Sequence, residues 1–233
     1  MKPGDPAAVE QLFDAVAPSY DRLNDVLSFG LHRQWKRQLV HALKPLAGEQ
    51  WLDLCCGTGD LALELGRWVR PGGAVTGLDA AAAPLERARQ RQGQQPWLPV
   101  TFQQADALHT GLPRACADGA VMAYGLRNLA DPLQGLKELR RLLKSGGRAG
   151  VLDFNRLPQS GVAAAFQRFY LRRLVVPAAA SVGLREEYAY LEKSLERFPA
   201  GPEQERLALE AGFVEALHRP VVAEQMGILI LRT

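Results

Sequence analysis

The sequence predicts an α/β fold: a mostly parallel, seven-stranded sheet covered by helices on both faces and closed by an antiparallel C-terminal hairpin. Three observations carry this. From residue 50 to 155, short apolar runs alternate with amphipathic stretches of helical period. A glycine turn, CCGTGD, stands between the first apolar run and the first amphipathic one. FVEALHRPVV and EQMGILILR are two strand-like runs whose connection is too short for a crossover helix.

The elements follow in order. WLDL (51–54) is the first strand, and LALELGRWV is a helix stopped by Pro71-Gly72-Gly73. AVTGLD (74–79) is the second strand and PLERARQRQ the second helix. VTFQQAD (100–106) is the third strand and ends in an acid. The fourth strand spans 120–124. Asp131-Pro132 starts a helix over 132–144, Ser145-Gly146-Gly147 stops it, and RAGVLDFN (148–155) is the fifth strand. Upstream, residues 8–45 carry helical periodicity through Val9, Leu12, Phe13 and Val16, then Leu23, Val26 and Leu27, then Trp35, Leu39 and Val40. Residues 156–204 read as mostly helical with a break at Pro177, an insertion of the length expected for a lid, and a helix follows at 203–211. The expected organisation is a single domain over 1–233. Within it lie an N-terminal helical cap (1–48), a core (49–155 and 205–233) and a lid (156–204).

Composition narrows the class. The 233 residues are 47% hydrophobic and 23% charged, ordinary for a globular chain. A net charge of +3 does not by itself imply nucleic acid. The start, MKPGDPAAVEQ, is polar, so no signal peptide is expected, and LVVPAAASVGL is too short to span a bilayer. Three cysteines make no disulfide framework, and no Cys/His spacing resembles a metal site. A reduced, cytoplasmic protein is expected.

LDLCCGTGD carries the first chemistry. Gly57 and Gly59 let backbone turn tightly against a ligand, and the following helix aims its N-terminus there. Asp79 ends the second strand, where a carboxylate can accept both hydroxyls of a ribose. This pattern alone fits both an NAD-dependent oxidoreductase and an S-adenosylmethionine (AdoMet) methyltransferase. Three features favour the second. The loop comes only after a helical preface. Asp106 ends the third strand, placed for an adenine edge. The hairpin resembles the reversed last strand of class I, Rossmann-like methyltransferases. The candidate AdoMet residues are Asp53, Gly57, Thr58, Gly59, Asp79, Asp106, Ala107 and Tyr124, with Asp53 orienting the loop or the methionine amine. A nucleic-acid methyltransferase is disfavoured, because no Asn/Asp-Pro-Pro-Tyr/Phe block follows the fourth strand and there is no strong basic patch.

Four blocks in order name a family. YDRLNDVLSFGLHRQW (20–35), LDLCCGTGD, YGLRN and RLLKSGGRAGVLDFN (141–155) resemble those of the quinone C-methyltransferases of menaquinone, ubiquinone and phylloquinone synthesis. Two departures matter. The family's usual Pro-Gly-Gly and Leu-Glu-Phe-Ser are here Ser145-Gly146-Gly147 and Leu152-Asp153-Phe154-Asn155. The latter, with REEYAYLEKSLERFP (185–199), resembles the cyanobacterial and plastid branch, which methylates 2-phytyl-1,4-naphthoquinone. The resemblance implies that activity, with demethylmenaquinone methylation as the alternative. In GLDAAAAPLERAR, alanines and Pro84 replace the usual residues after the ribose acid and weaken the cap of that helix.

The implied chemistry explains why Arg127 and Asn128 follow a buried strand. Methyl transfer to a ring carbon needs an electron-rich carbon, so the quinol, losing a hydroxyl proton of pKa about 10, is the expected substrate. A fixed guanidinium favours that anion. The resemblance places Arg127 and Asn128 in the active site. Tyr20 is a candidate partner of the quinol or of a bridging water, or else an ordinary tyrosine of an amphipathic helix. His32 reads equally as a proton relay or a structural histidine, and Cys55 and Cys56 are not read as nucleophiles. The expected partner is a small prenylated naphthoquinol. FQRFYLRRLVV (166–176), with Arg168, Arg172 and Arg173, reads either as a solvated face or as a peripheral membrane contact through the lid.

Overall fold

The structure is a computed structural model and describes residues 30–156, 161, 165, 169, 173, 194–222 and 224–233. Tyr20, most of the 20–35 block, and Arg168 and Arg172 lie outside the described residues, as does most of the expected lid. The elements are α1 (Leu31–Leu43), β1 (Gln50–Leu54), α2 (Asp60–Trp68), β2 (Ala74–Asp79), α3 (Ala82–Gly93), β3 (Val100–Gln104) and β4 (Ala117–Ala123). A 3₁₀ turn (Leu126–Asn128) leads to α4 (Pro132–Leu142), β5 (Leu143–Phe154), α5 (Gly201–Glu210), β6 (Glu215–Val221) and β7 (Met226–Arg232). Among the described residues the seven strands form one sheet in the order β3-β2-β1-β4-β5-β7-β6.

The sequence explains the layering. Successive side chains on β1 point to opposite faces. Leu52 and Leu54 enter the layer of Leu136, Leu139 and Leu142 from α4. Trp51 enters the layer of Leu39 and Val40 from α1 and Leu61 and Leu65 from α2. Strands covered on both faces are near-continuous apolar runs; AVMA is one, and WLDL is one but for Asp53. The first five strands run parallel. The hairpin forms as expected, but its second strand slots inside. β7 runs antiparallel to both β5 and β6 and leaves β6 at the edge. Pro220 sits on that edge strand, the position in a sheet where a missing N–H is tolerated.

Other boundaries move. Ser145-Gly146-Gly147 does not stop a helix before a strand at 148; β5 already begins at Leu143, paired with Ala117, and its register slips before Arg148 meets Gly119. The glycines serve as an irregularity within the strand rather than its border. The third strand ends at Gln104, so Asp106 stands in the turn beyond it and bridges to His109. Asp131 does start α4: its Oδ1 accepts the Gln134 N–H at 3.1 Å, with Pro132 in the first turn. Ala81 gives α3 no side-chain cap, as its sequence implies, and Asp79 Oδ1 accepts the Ala81 N–H instead. Arg148 pins α1 to the sheet by donating to the Leu43 and Lys44 carbonyls and to Glu49.

Candidate active site

The strand order reverses between β1 and β4, and ligands of open α/β sheets sit at the carboxyl ends of the strands flanking such a point. The backbone is strained there. Cys55 (φ 56°) follows β1 and Tyr124 (φ 61°) follows β4, both left-handed and neither glycine. The two ends touch: a Cβ added at Gly125 would stand 2.7 Å from Cys55 Cβ.

The glycine loop lies on the β1 side. Gly57 (φ 53°) and Gly59 (φ 83°) are left-handed. A Cβ at Gly59 would stand 2.7 Å from the Phe102 ring, so that glycine lets the loop pack on β3. A Cβ at Gly57 would meet nothing within 4 Å, so the outer side of the loop is open to a ligand. Asp79 Oδ2 accepts the Gly57 N–H at 2.8 Å, which ties the end of β2 to the loop. Its other oxygen, Oδ1, accepts the Ala81 N–H at 3.0 Å, so the carboxylate is fixed beside the loop. The chain past β3 is tied to the same place, because the Ala105 N–H donates to the Asp79 carbonyl. Asp106 is exposed with Oδ1 on the Leu108 N–H, and Ala107 is buried. Thr58 is turned away: its carbonyl and hydroxyl oxygens both accept from Arg91.

Asp53 is the group on this side that most resembles part of a binding site. It is 1% exposed, and its Oδ2 accepts the Ala62 N–H at 2.9 Å. Its Oδ1 is buried with no hydrogen-bond partner among the described residues. Burial pushes the carboxyl up to about 8, against the pull of the Lys36 charge. The residues therefore fit AdoMet: an open glycine turn, an acid at the end of β2 tied to that turn, and a buried carboxyl whose Oδ1 would accept from an ammonium. Lys36 of α1 bonds Asp60 at 2.8 Å, and Arg91 of α3 bonds it at 2.6 Å. Burial alone would raise the Asp60 carboxyl, but the two cations outweigh it and hold it well below the usual carboxylate range. This staple fixes both flanking helices to the loop, and nothing in the spacing of residues 36, 60 and 91 announces it.

On the β4 side, Arg127 and Asn128 are both buried. Arg127 Nε stands 3.0 Å from Asp153 Oδ1, an ionic contact in which the N–H is not aimed along the hydrogen bond. Its backbone N–H donates to Asp153 Oδ2 at 3.2 Å. Its Nη1 donates to Asn128 Oδ1 at 2.6 Å and to the Ser194 hydroxyl at 3.2 Å. Asn128 Nδ2 donates to the Tyr124 carbonyl, closing the turn. Burial raises the Asp153 carboxyl above the usual range, opposed by Arg127. Burial likewise pushes both the Cys55 and Cys56 thiols up, as expected of cysteines that are not nucleophiles. His32 is buried in α1. Sequence reasoning missed Asp153 and Ser194. The Leu-Asp-Phe-Asn departure was the available signal for Asp153, and none existed for a serine 67 positions from Arg127.

The model of the ubiE/COQ5 methyltransferase family matches residues 1–228. A 2-phytyl-1,4-naphtoquinone methyltransferase of Synechococcus elongatus is 47% identical over 230 residues, covering 97% of this chain and 97% of that protein. The chloroplastic 2-phytyl-1,4-beta-naphthoquinone methyltransferase of Arabidopsis thaliana is 40% identical, covering 94% of this chain and 85% of that one. A solved SAM-dependent methyltransferase of Thermotoga maritima superposes with a TM-score of 0.65 at 19% identity, covering 95% of this chain and 98% of that one, which supports the fold alone.

Proposed function

This chain belongs to the ubiE/COQ5 methyltransferase family, and we propose that it methylates the ring carbon of 2-phytyl-1,4-naphthoquinone, taken as the quinol. Relatives of that name at 40–47% identity over nearly the whole chain support the substrate. The observation that carries the mechanism is the buried guanidinium of Arg127 at the carboxyl end of β4, beside the glycine-loop crevice.

Asp53, Gly57, Gly59, Asp79, Asp106, Ala107 and Tyr124 are the groups of this chain that would hold AdoMet, with Thr58 bracing the loop through its bonds to Arg91. AdoMet, when bound, supplies a methyl on a sulfonium sulfur. Arg127 favours the quinol oxygen as an anion, which drives electron density onto the neighbouring carbon. That carbon would form the new C–C bond as the bond between methyl and sulfur breaks and sulfur keeps the electron pair, and it would then lose its hydrogen as a proton to water. Asn128, bonded to both Arg127 and the Tyr124 carbonyl, sets the plane of the pair. Tyr20 would reach the quinol from the N-terminal segment. Residues 1–48 and 156–204 would act as cap and lid over the phytyl chain, with residues 166–176 resting on a membrane surface. No helix among the described residues is long and apolar enough to cross a membrane.

The test is Arg127→Ala. The rate of methyl transfer to the reduced quinone should fall by about 10²–10³, while AdoMet binding measured by calorimetry stays unchanged. A variant as active as wild type overturns the oxyanion role.

A further inference from the structure

Arg127 is the group the proposed chemistry depends on, yet a long, flexible side chain does not hold its own position. Asp153 grips it twice. One carboxylate oxygen accepts the Arg127 backbone N–H at 3.2 Å, and the other stands 3.0 Å from the guanidinium Nε. The grip is itself anchored, because Asp153 Oδ1 also accepts the Phe154 N–H at 2.9 Å. Asp153 is 3% exposed and is the penultimate residue of β5, paired across to Gly227 of β7. The Phe154 ring lies 5.9 Å from the guanidinium carbon, and Ser194, wholly buried, takes Nη1. The core strand, together with Asn128 of the turn, which accepts from Nη1 at 2.6 Å, thus fixes where the positive charge stands.

A purely stabilising ion pair does not account for this arrangement. Burying two charges gains little over apolar packing, and the site lies at the crevice mouth, where a misplacement of about 1 Å can cost 10²-fold in rate. We propose that Asp153 is the positioning residue of the Arg127 guanidinium, with Ser194 as a further fixed contact, so that β5 and the helical residues 194–197 together set the oxyanion-binding geometry. This rests on the reading of Arg127 as an active-site group.

The experiment compares Asp153→Asn, Asp153→Glu, Ser194→Ala and Arg127→Ala by kcat, by KM for the reduced quinone and by AdoMet binding. Asp153→Asn should lower kcat by about 10–100-fold with AdoMet affinity unchanged. Asp153→Glu restores the charge and is the residue of the family's usual Leu-Glu-Phe-Ser block, and it should recover most of the rate. Ser194→Ala should cost about three- to tenfold in kcat, roughly one net hydrogen bond. If Arg127→Ala is impaired while Asp153→Asn and Ser194→Ala keep wild-type kcat, the positioning role is overturned. Equal loss in Asp153→Asn and Asp153→Glu, accompanied by lost AdoMet binding, also overturns it by assigning Asp153 to the fold. If Arg127→Ala is fully active, it is the active-site reading that fails. Should Asp153→Asn not fold, the kcat of Asp153→Glu and Ser194→Ala decides.

Discussion

On the β1 side of the crevice, Asp53 buries a carboxylate oxygen that accepts nothing among the described residues, and Gly57 turns an open backbone outward. On the β4 side, Asn128, Asp153 and Ser194 all contact the one side chain of Arg127. The first arrangement holds polar capacity in reserve for a ligand, at a cost in folding stability. The second uses most of its capacity to fix one cation. On the proposed function, binding and chemistry fall at two neighbouring strand ends, and each should be breakable without the other.

The largest effect expected on the binding side is from Asp79→Ala. It removes the acceptor of the Gly57 N–H together with the proposed ribose contact. Losing hydrogen bonds to a charged group at about 1.5–3 kcal/mol weakens AdoMet roughly tenfold to a hundredfold, with kcat at saturating cofactor near wild type. Calorimetry against steady-state kinetics reads this, and a fall in kcat without a fall in affinity breaks the division.

A smaller effect concerns Asp53 and has a defined sign. Its carboxyl titrates near 8 in the fold and near 3.9 in the unfolded chain. The folded state therefore binds the extra proton. The associated stability is complete below about pH 4 and is lost as pH rises from there through the folded value near 8. Asp53→Asn cannot ionise, so the ligand-free variant should gain stability relative to wild type as pH goes from 5 to 8, while binding AdoMet more weakly. Denaturant midpoints at the two pH values check this. Parallel curves for the two proteins contradict the burial of a reserve carboxylate.

Much of this was legible in the residues. Apolar runs, the CCGTGD turn and Asp79 at the end of AVTGLD define the β1 side, because each feature is local and its spacing is dictated by one strand and one turn. The reversed position of β7 was not legible, since the two strands of a hairpin look alike until they compete for the free edge of β5. The start of β5 was hidden by Gly146 and Gly147, which ordinarily end elements and here sit inside a register slip. On the β4 side, Arg127 and Asn128 were visible but their holders were not. Lys36 and Asp60, and likewise Arg127 and Ser194, meet only through the folded sheet, and no periodicity encodes a contact between residues so far apart in the chain.

The most direct test of the central claim is transfer of labelled methyl from AdoMet to 2-phytyl-1,4-naphthoquinone, run with the substrate oxidised and with it reduced. An anion-stabilising Arg127 predicts label in the ring only from the reduced form. Equal labelling of the oxidised quinone, or none of either form while AdoMet still binds, contradicts it.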